Sequence, residues 1–287
     1  MTYLSCSISE QFVNPLFEVF DGGDFILSSY RDIEEPFTRM RIFLEDPSLA
    51  GDARERLAAA MEIVGVSAPI ETLELPDEDW KLASRRHFKI EEIGRRLVTV
   101  PAWEKVPAGD RVAVVLDPGM AFGTGRHETT RACLEYIDEL SASLAVRPGG
   151  ASFLDMGCGS GILSIAASKL GFAPVKGFDV DQEAVDASME NAARNSVNVE
   201  YVKFALGRAA NGGKGCGGRY DLVVANILGP LLIRFADEIV DYVGGKLVIS
   251  GILAELYDEV LASYVSRGLK EVSRKTIGEW TTGLLTR

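Results

Sequence analysis

Residues Phe153 to Gly161 read FLDMGCGSG, and this stretch decides the fold. An apolar run ends at Asp155 and breaks into glycines at alternate positions, and the helical run ILSIAASKLG follows directly. Gly157, Gly159 and Gly161 permit a tight turn and carry no Cβ, so amides at the helix N-terminus can point at a ligand. Strand, glycine turn and helix in this order make a nucleotide-binding turn.

The dinucleotide fingerprint is G-x-G-x-x-G, whereas here the third glycine comes one residue early and Ile162 follows it. That spacing favours S-adenosylmethionine over a nicotinamide dinucleotide. Outward from the turn, SFLDM, VKGFDV, VEYVKFAL, YDLVVANI and GKLVISG read as strands. Between them ILSIAASKL, QEAVDASMENAARN, LLIRFADEIVDYV and LAELYDEVLASYVSR read as helices. The alternation predicts a parallel sheet wrapped by helices. LKEVSRKTIGEW and TTGLLTR then read as two strands meeting at a tight turn, which predicts an antiparallel hairpin at the sheet's edge. A nicotinamide-binding domain normally ends on a parallel strand, and the common methyltransferase fold closes with such a hairpin. The predicted class is α/β, a Rossmann-like seven-stranded sheet of the class I methyltransferase kind.

The first 76 residues differ in texture. YLSCSIS, DFILSSYRD, TRMRIFLED and IETLELP read as strands, and SEQFVNPLFEVF and DARERLAAAMEIVG as helices, in βαββαβ order. This order is ferredoxin-like. Residues 77–109, rich in charge and containing Pro101 and Pro107, read as a linker and hinge, and residues 110–287 as the catalytic domain. Asn211 to Gly218, NGGKGCGG, reads as a plain surface loop, because no helix follows directly and no Walker-type Lys-Ser/Thr pair is present.

A chain of 287 residues predicts two domains, and 47% hydrophobic residues can build a sizeable core. The first basic residue is Arg31, and no apolar run reaches the roughly 18 residues of a spanning helix, so the reading is a soluble, cytoplasmic protein. Cys6, Cys133, Cys158 and Cys216 form no C-x-x-C pair, which speaks against a disulfide framework or a zinc site. A net charge of -12 argues against broad contact with a nucleic acid backbone and suits a cationic protein or an amine.

A carboxylate after the second strand can accept hydrogen bonds from ribose hydroxyls. Asp179 in GFDVD ends that predicted strand, and Asp181 is the fallback, although Asp181 is better placed as the cap of the following helix. Asn226 in VVANILGPLL sits where the fourth strand gives way to its loop. Its amide carbonyl can hold an amine lone pair in line, and the plainer reading is a turn residue capping the next helix. Leu116 to Ile137, LDPGMAFGTGRHETTRACLEYI, reads as an irregular loop that can close over the cofactor. It leads into a helix opened by Thr129 and Thr130. His127 tempts a general-base reading, yet with His87 as the only other histidine and no triad, it reads rather as a loop anchor.

With these residues in place the chain resembles the PrmA methyltransferases, which modify ribosomal protein L11 at the base of the large-subunit stalk. DPGMAFGTGRHETT, FLDMGCGSGILSIAASKLG, DVDQEAVDASMENAARN, VVANILGPLL and ISGILAEL look like the family's signature blocks, in order and spacing. GRRLVTVPAWEKVP is similar too, and FILSSYRDIEEP carries the likeness into the N-terminal part. The resemblance implies cofactor-binding positions at Thr130, Gly157, Asp179 and Asn226, with Gly159 in the same turn. It implies transfer of methyl groups from S-adenosylmethionine to lysine or N-terminal amines, with Asn226 as the catalytic residue and no metal. It also makes the N-terminal domain the substrate-recognition module and a large-subunit ribosomal protein the partner, with no direct nucleic acid or membrane contact. One departure stands out: the family usually has Thr and Pro where this chain has Arg126 and Glu128. The rival readings are a methyltransferase of another protein or a small amine, a nicotinamide-dependent oxidoreductase, and a non-catalytic ribosome-assembly factor on the same fold.

Overall fold

The computed structural model describes residues 2–20, 25–30, 36–44, 46–74, 89–117, 127–144, 150–207 and 216–287. By their contacts they divide into two compact units, Met1–His87 and Phe88–Arg287. In the first, β1 (Thr2–Ile8), α1 (Val13–Val19), β2 (Leu27–Tyr30), β3 (Thr38–Leu44), α2 (Ala50–Ile63) and β4 (Glu71–Glu74) follow in βαββαβ order. The strands pair antiparallel as β2-β3-β1-β4, the ferredoxin-like topology. Alternation sets the faces: Leu4, Cys6 and Ile8 of β1 and Met40, Ile42 and Leu44 of β3 point to one side. Leu57, Ala60 and Met61 of α2 close over them.

The second unit opens with a three-stranded sheet, β5 (Glu91–Ile93), β6 (Leu97–Pro101) and β7 (Val112–Leu116), in that spatial order. Residues 91–93 and 97–101 are therefore strands joined by a turn, which corrects the reading of this part of 77–109 as linker and hinge, while residues 77–88 of that stretch lie outside the described residues. Ile93, Leu97, Val114 and Leu116 belong to the same hydrophobic core as the helix α3 (Glu128–Leu144). Asp138 of α3, itself buried, accepts from the backbone of Arg95 at 2.7 Å and from Arg96 Nε at 2.7 Å. A carboxylate so buried is tolerable because a guanidinium and backbone N–H groups satisfy it. The short runs misled because charge and proline at their ends hid strands that packing stabilises.

The main sheet is built from β8 (Phe153–Met156), β9 (Val175–Asp179), β10 (Glu200–Lys203), β11 (Tyr220–Asn226), β12 (Val243–Leu253), β13 (Lys270–Ile277) and β14 (Trp280–Thr286). Its order is β10-β9-β8-β11-β12-β14-β13. Strands β8 to β12 pair in parallel, and β14 runs antiparallel to both β12 and β13. The C-terminal hairpin is present, but its antiparallel strand lies second from the edge and β13 is outermost. This placement refines the expected edge hairpin. Successive residues of the central strands face two different cores: Phe153, Leu222, Val224 and Val248 one way, Leu154, Val223, Ala225 and Leu247 the other. Helices cover both faces, so these strands are apolar throughout. Complete burial of a Val or Leu stabilises by about 1.5–3 kcal/mol each.

One side is covered by α3 and by α4 (Ile162–Lys169), the helix that leaves the glycine turn. After β9 comes α5 (Gln182–Arg194), capped by Asp181, whose Oδ1 accepts from Glu183 N at 3.1 Å. On the other side lie α6 (Gly229–Arg234), α7 (Ala236–Tyr242) and α8 (Tyr257–Val265). The run LLIRFADEIVDYV, expected as one helix, is broken at Phe235, whose φ of -106° and ψ of 17° leave the helical region. The expected strand VEYVKFAL is shorter, ending at Lys203.

Candidate functional site

Parallel α/β sheets bind ligands at the carboxyl ends of their strands, where the strand order reverses. Here the reversal falls between β8 and β11, and a cavity of about 390 Å³ opens at that edge. Its lining includes Thr130, Gly157, Gly159, Asp179 and Asn226. Residues far apart in the chain, from α3, the turn after β8, and the ends of β9 and β11, thus meet around one space.

The glycine turn is shaped by what surrounds it. Gly157 has φ +74°, and a Cβ there would lie 2.6 Å from Ile227 Cγ2. Gly161, the first residue before α4, has φ +78°, and a Cβ would lie 2.7 Å from Tyr201 Oη. Only glycine meets both demands. The N–H groups of Gly157 and Cys158 both donate to Phe178 O, at 2.9 and 3.0 Å, which ties the turn to β9. Asp179 Oδ2 accepts from Gly159 N at 3.0 Å, and its Oδ1 accepts from Asp181 N at 3.1 Å. These bonds hold a carboxylate at the cavity wall without burying it.

Asn226 Nδ2 donates to Thr130 Oγ1 at 3.4 Å. The helix that follows, α6, takes Leu228 as its cap position, so Asn226 is not a capping residue. Nearby, Ser250 Oγ lies 2.6 Å from Thr282 Oγ1 and donates to Thr129 O at 3.3 Å, which fixes the first turn of α3 against β12 and β14. His127 stands aside from the cavity lining. Its Nδ1 is 2.8 Å from Thr129 Oγ1 and its ring meets Trp280 edge-on, which makes it a structural anchor of α3. The loop glycines and Arg126 lie outside the described residues, as does most of NGGKGCGG.

Below the turn sits Asp155, wholly buried. Its Oδ2 accepts from Ser164 N at 3.1 Å, while Oδ1 has no partner among the described residues. Burial pushes its pKa up to about 7, against the opposing pull of Ser164 and with a smaller push from the charge of Asp179. Cys158, also buried in the turn, has its thiol raised by desolvation first, and so stays protonated. Neither group is poised as a nucleophile.

Sequence reasoning missed the apolar wall, which includes Val180, Leu206, Ile227, Leu231 and Phe235. Val180 and Ile227 are the last residues of the predicted strands VKGFDV and YDLVVANI, which was a usable signal. Phe235 had none, because only the break between α6 and α7 brings its ring to the cavity beside Gly207. A pocket mostly apolar with few convergent polar groups, within the roughly 300–1,000 Å³ of ligand sites, suits a nucleoside with a charged tail. Asp179 matches ribose hydroxyls, the flanking apolar side chains match a flat base, and the bare glycine turn admits the rest of the molecule.

A sheet of this strand order, with its antiparallel strand next to last and this cavity at the switch point, defines a class I S-adenosylmethionine-dependent methyltransferase. Known proteins agree. Residues 32–287 match the family model described as ribosomal protein L11 methyltransferase (PrmA). The chain is 45% identical over 217 residues to the ribosomal protein L11 methyltransferase of Thiobacillus denitrificans, covering 74% of this chain and 69% of that one. It is 44% identical over 228 residues to that of Geobacter sulfurreducens, covering 78% and 71%. A crystal structure of ribosomal protein L11 methylase from Lactobacillus delbrueckii subsp. bulgaricus superposes with a TM-score of 0.61 at 30% identity, over 69% of this chain and 98% of the other. The chain belongs to the PrmA family. Among the described residues, no helix is long and apolar enough to cross a membrane.

Proposed function

We propose that this enzyme methylates amino groups of ribosomal protein L11, on lysine side chains and at the N-terminus, in the cytoplasm and at the protein that forms the stalk base. The observation that carries the proposal is the meeting of Thr130, Asp179, Asn226 and the glycine turn in one cavity, in a chain that belongs to this family.

S-adenosylmethionine, when bound, supplies a methyl group on a positively charged sulfur, open to in-line attack. In our reading Asp179 holds the ribose, Gly157 and Gly159 present backbone to the amino-acid end, and Val180, Leu206 and Phe235 flank the base. With its amide nitrogen directed at Thr130, Asn226 turns its carbonyl oxygen to the incoming amine and aims the lone pair. Thr130 is thereby both a wall of the cavity and the group that sets the orientation of Asn226.

A neutral amine is required. Deprotonating a lysine of pKa ~10.4 at pH 7 costs about 4.6 kcal/mol at ~1.36 kcal/mol per pH unit, while positioning of reactants lowers a barrier by about 7–11 kcal/mol. Positioning therefore exceeds the cost without a dedicated base. An apolar wall disfavours the ammonium form further.

The acidic N-terminal unit serves as the recognition module for a basic ribosomal protein, and contact with nucleic acid is not part of the reading. Transfer of a labelled methyl group to purified L11, followed by peptide mass spectrometry, tests the proposal. Modified lysines or a modified N-terminus support it. An unlabelled L11 beside labelling of another protein or a small amine overturns it.

A further inference from the structure

Helix α5 and its C-terminal cap carry three polar residues where an amphipathic helix ordinarily buries apolar ones. Ser188, Asn191 and Asn195 are 0%, 1% and 8% exposed. Their spacing of three and then four residues places them in one stripe along the helix. Buried polar groups need partners, so the destination of each bond is informative.

Asn195 Oδ1 accepts from Val115 N at 2.9 Å, and its Nδ2 donates to Val115 O at 2.6 Å. One turn earlier, Asn191 Oδ1 accepts from Asp117 N at 3.0 Å and Nδ2 donates to Asp117 O at 3.2 Å. Val115 and Asp117 are alternate residues on the side of β7 that faces away from β6, so the two amides complete that strand edge as a neighbouring strand would. Asn191 does something more: its Nδ2 also donates to Ser160 O, at 3.0 Å. Ser188 Oγ donates to Gly159 O at 2.9 Å. The carbonyls of two consecutive turn residues are thus anchored to α5.

We propose that Ser188 and Asn191 are positioning residues for the methyl-donor site, holding the peptide planes of the glycine turn in their ligand-receptive orientation, whereas Asn195 bonds β7 and the backbone of its own helix and makes no bond to the turn. The inference rests on the reading of the cavity as the S-adenosylmethionine site. Anchoring Gly159 O and Ser160 O from behind fixes two peptide planes of the turn, including the one whose N–H is contributed by Gly161. The turn glycines, left to themselves, have the freest backbones in the protein, so the restraint has to come from neighbours.

Ser188→Ala, Asn191→Ala, Asn191→Asp and Asn195→Ala in the full-length protein separate positioning from simple support. Calorimetry gives the affinity for S-adenosylmethionine, thermal unfolding without ligand gives stability, and hydrogen exchange reads the amides of the turn. Asn191→Ala and Asn195→Ala each leave a strand edge unpaired and are expected to lower the melting temperature alike. Only Ser188→Ala and the two Asn191 variants should weaken cofactor binding, by roughly tenfold or more, and accelerate exchange at Gly159 to Gly161. Asn191→Asp keeps the size and the acceptor for Asp117 N but, as a carboxylate, offers neither Ser160 O nor Asp117 O a donor. Asn195→Ala should bind within about twofold of wild type. If Asn191→Ala does not fold, Ser188→Ala, which removes one hydroxyl, still decides. Affinity losses that follow melting temperature equally in the Asn195 and Asn191 variants would overturn the proposal, and so would unchanged affinity in Ser188→Ala and Asn191→Asp. A wild-type protein that binds no S-adenosylmethionine would instead overturn the reading of the cavity, and the proposal with it.

Discussion

Asp179 Oδ2 and the backbone N–H of Gly159 are joined by a 3.0 Å hydrogen bond, which links the end of the second strand of the main sheet's parallel core to the turn after the first. The carboxylate is therefore a member of the turn's own network as well as the proposed ribose acceptor. Asp179→Ala removes both roles. With hydrogen bonds to a charged group worth about 1.5–3 kcal/mol each, S-adenosylmethionine is expected to bind at least roughly tenfold more weakly. Calorimetry checks this, and unchanged affinity would remove Asp179 from the site.

Asn226 is expected to act in the transition state rather than in cofactor binding. Asn226→Ala should lower kcat by roughly a hundredfold, the scale of one orienting group lost at a preorganised site, while the affinity for S-adenosylmethionine shifts only a few-fold. Thr130→Val should reproduce part of the kcat loss, because the amide of Asn226 loses its partner. Equal losses in turnover and affinity would make Asn226 a cofactor ligand only.

Asp155 makes stability depend on pH. Its carboxyl keeps its proton in the folded protein up to about pH 7, whereas the unfolded chain releases it near 3.8. Between those values the unfolded state binds fewer protons, so the stability from the neutral group is complete below about pH 4 and is lost as pH rises to about 7. Asp155→Asn stays neutral throughout. Relative to wild type its stability is expected to rise between pH 5 and pH 8, by ~3 kcal/mol at about 1.36 kcal/mol per pH unit over the two units below pH 7. Denaturant unfolding of both proteins at the two pH values is the check, and a constant difference would show that Asp155 is already ionised when folded.

A fragment of residues 88–287 contains the whole second unit and every proposed cofactor residue. It is expected to fold and to bind S-adenosylmethionine within a few-fold of the full chain. Methyl transfer to L11 should fall by roughly 10²–10⁴, the range lost when linked modules are separated. A fragment starting at Val100 cuts β6 and deletes β5, and it should unfold at a lower temperature than the longer one. Methylation of L11 by the 88–287 fragment at the full rate would remove the recognition role from the N-terminal unit.

The amino-acid sequence by itself determined the glycine turn, the alternation of strands and helices, and the two polar residues at strand ends, Asp179 and Asn226. These are local signals: a period of two or 3.6 residues, a glycine spacing, and the rule that ligands gather at the carboxyl ends of parallel strands. The remainder depended on pairings between distant segments. Strand β14 slips between β12 and β13 because its register with both is set by non-local hydrogen bonds. Residues 91–93 and 97–101 become strands because Ile93 and Leu97 find the core beneath α3. Phe235 reaches the cavity through a helix break, and Asn191 and Asn195 look like ordinary polar helix residues until β7 and the turn are seen beside them. Asp155 is the sharpest case: its position in the turn motif was plain from the chain, but its protonation was settled by complete burial, which only the packed sheet and helices impose.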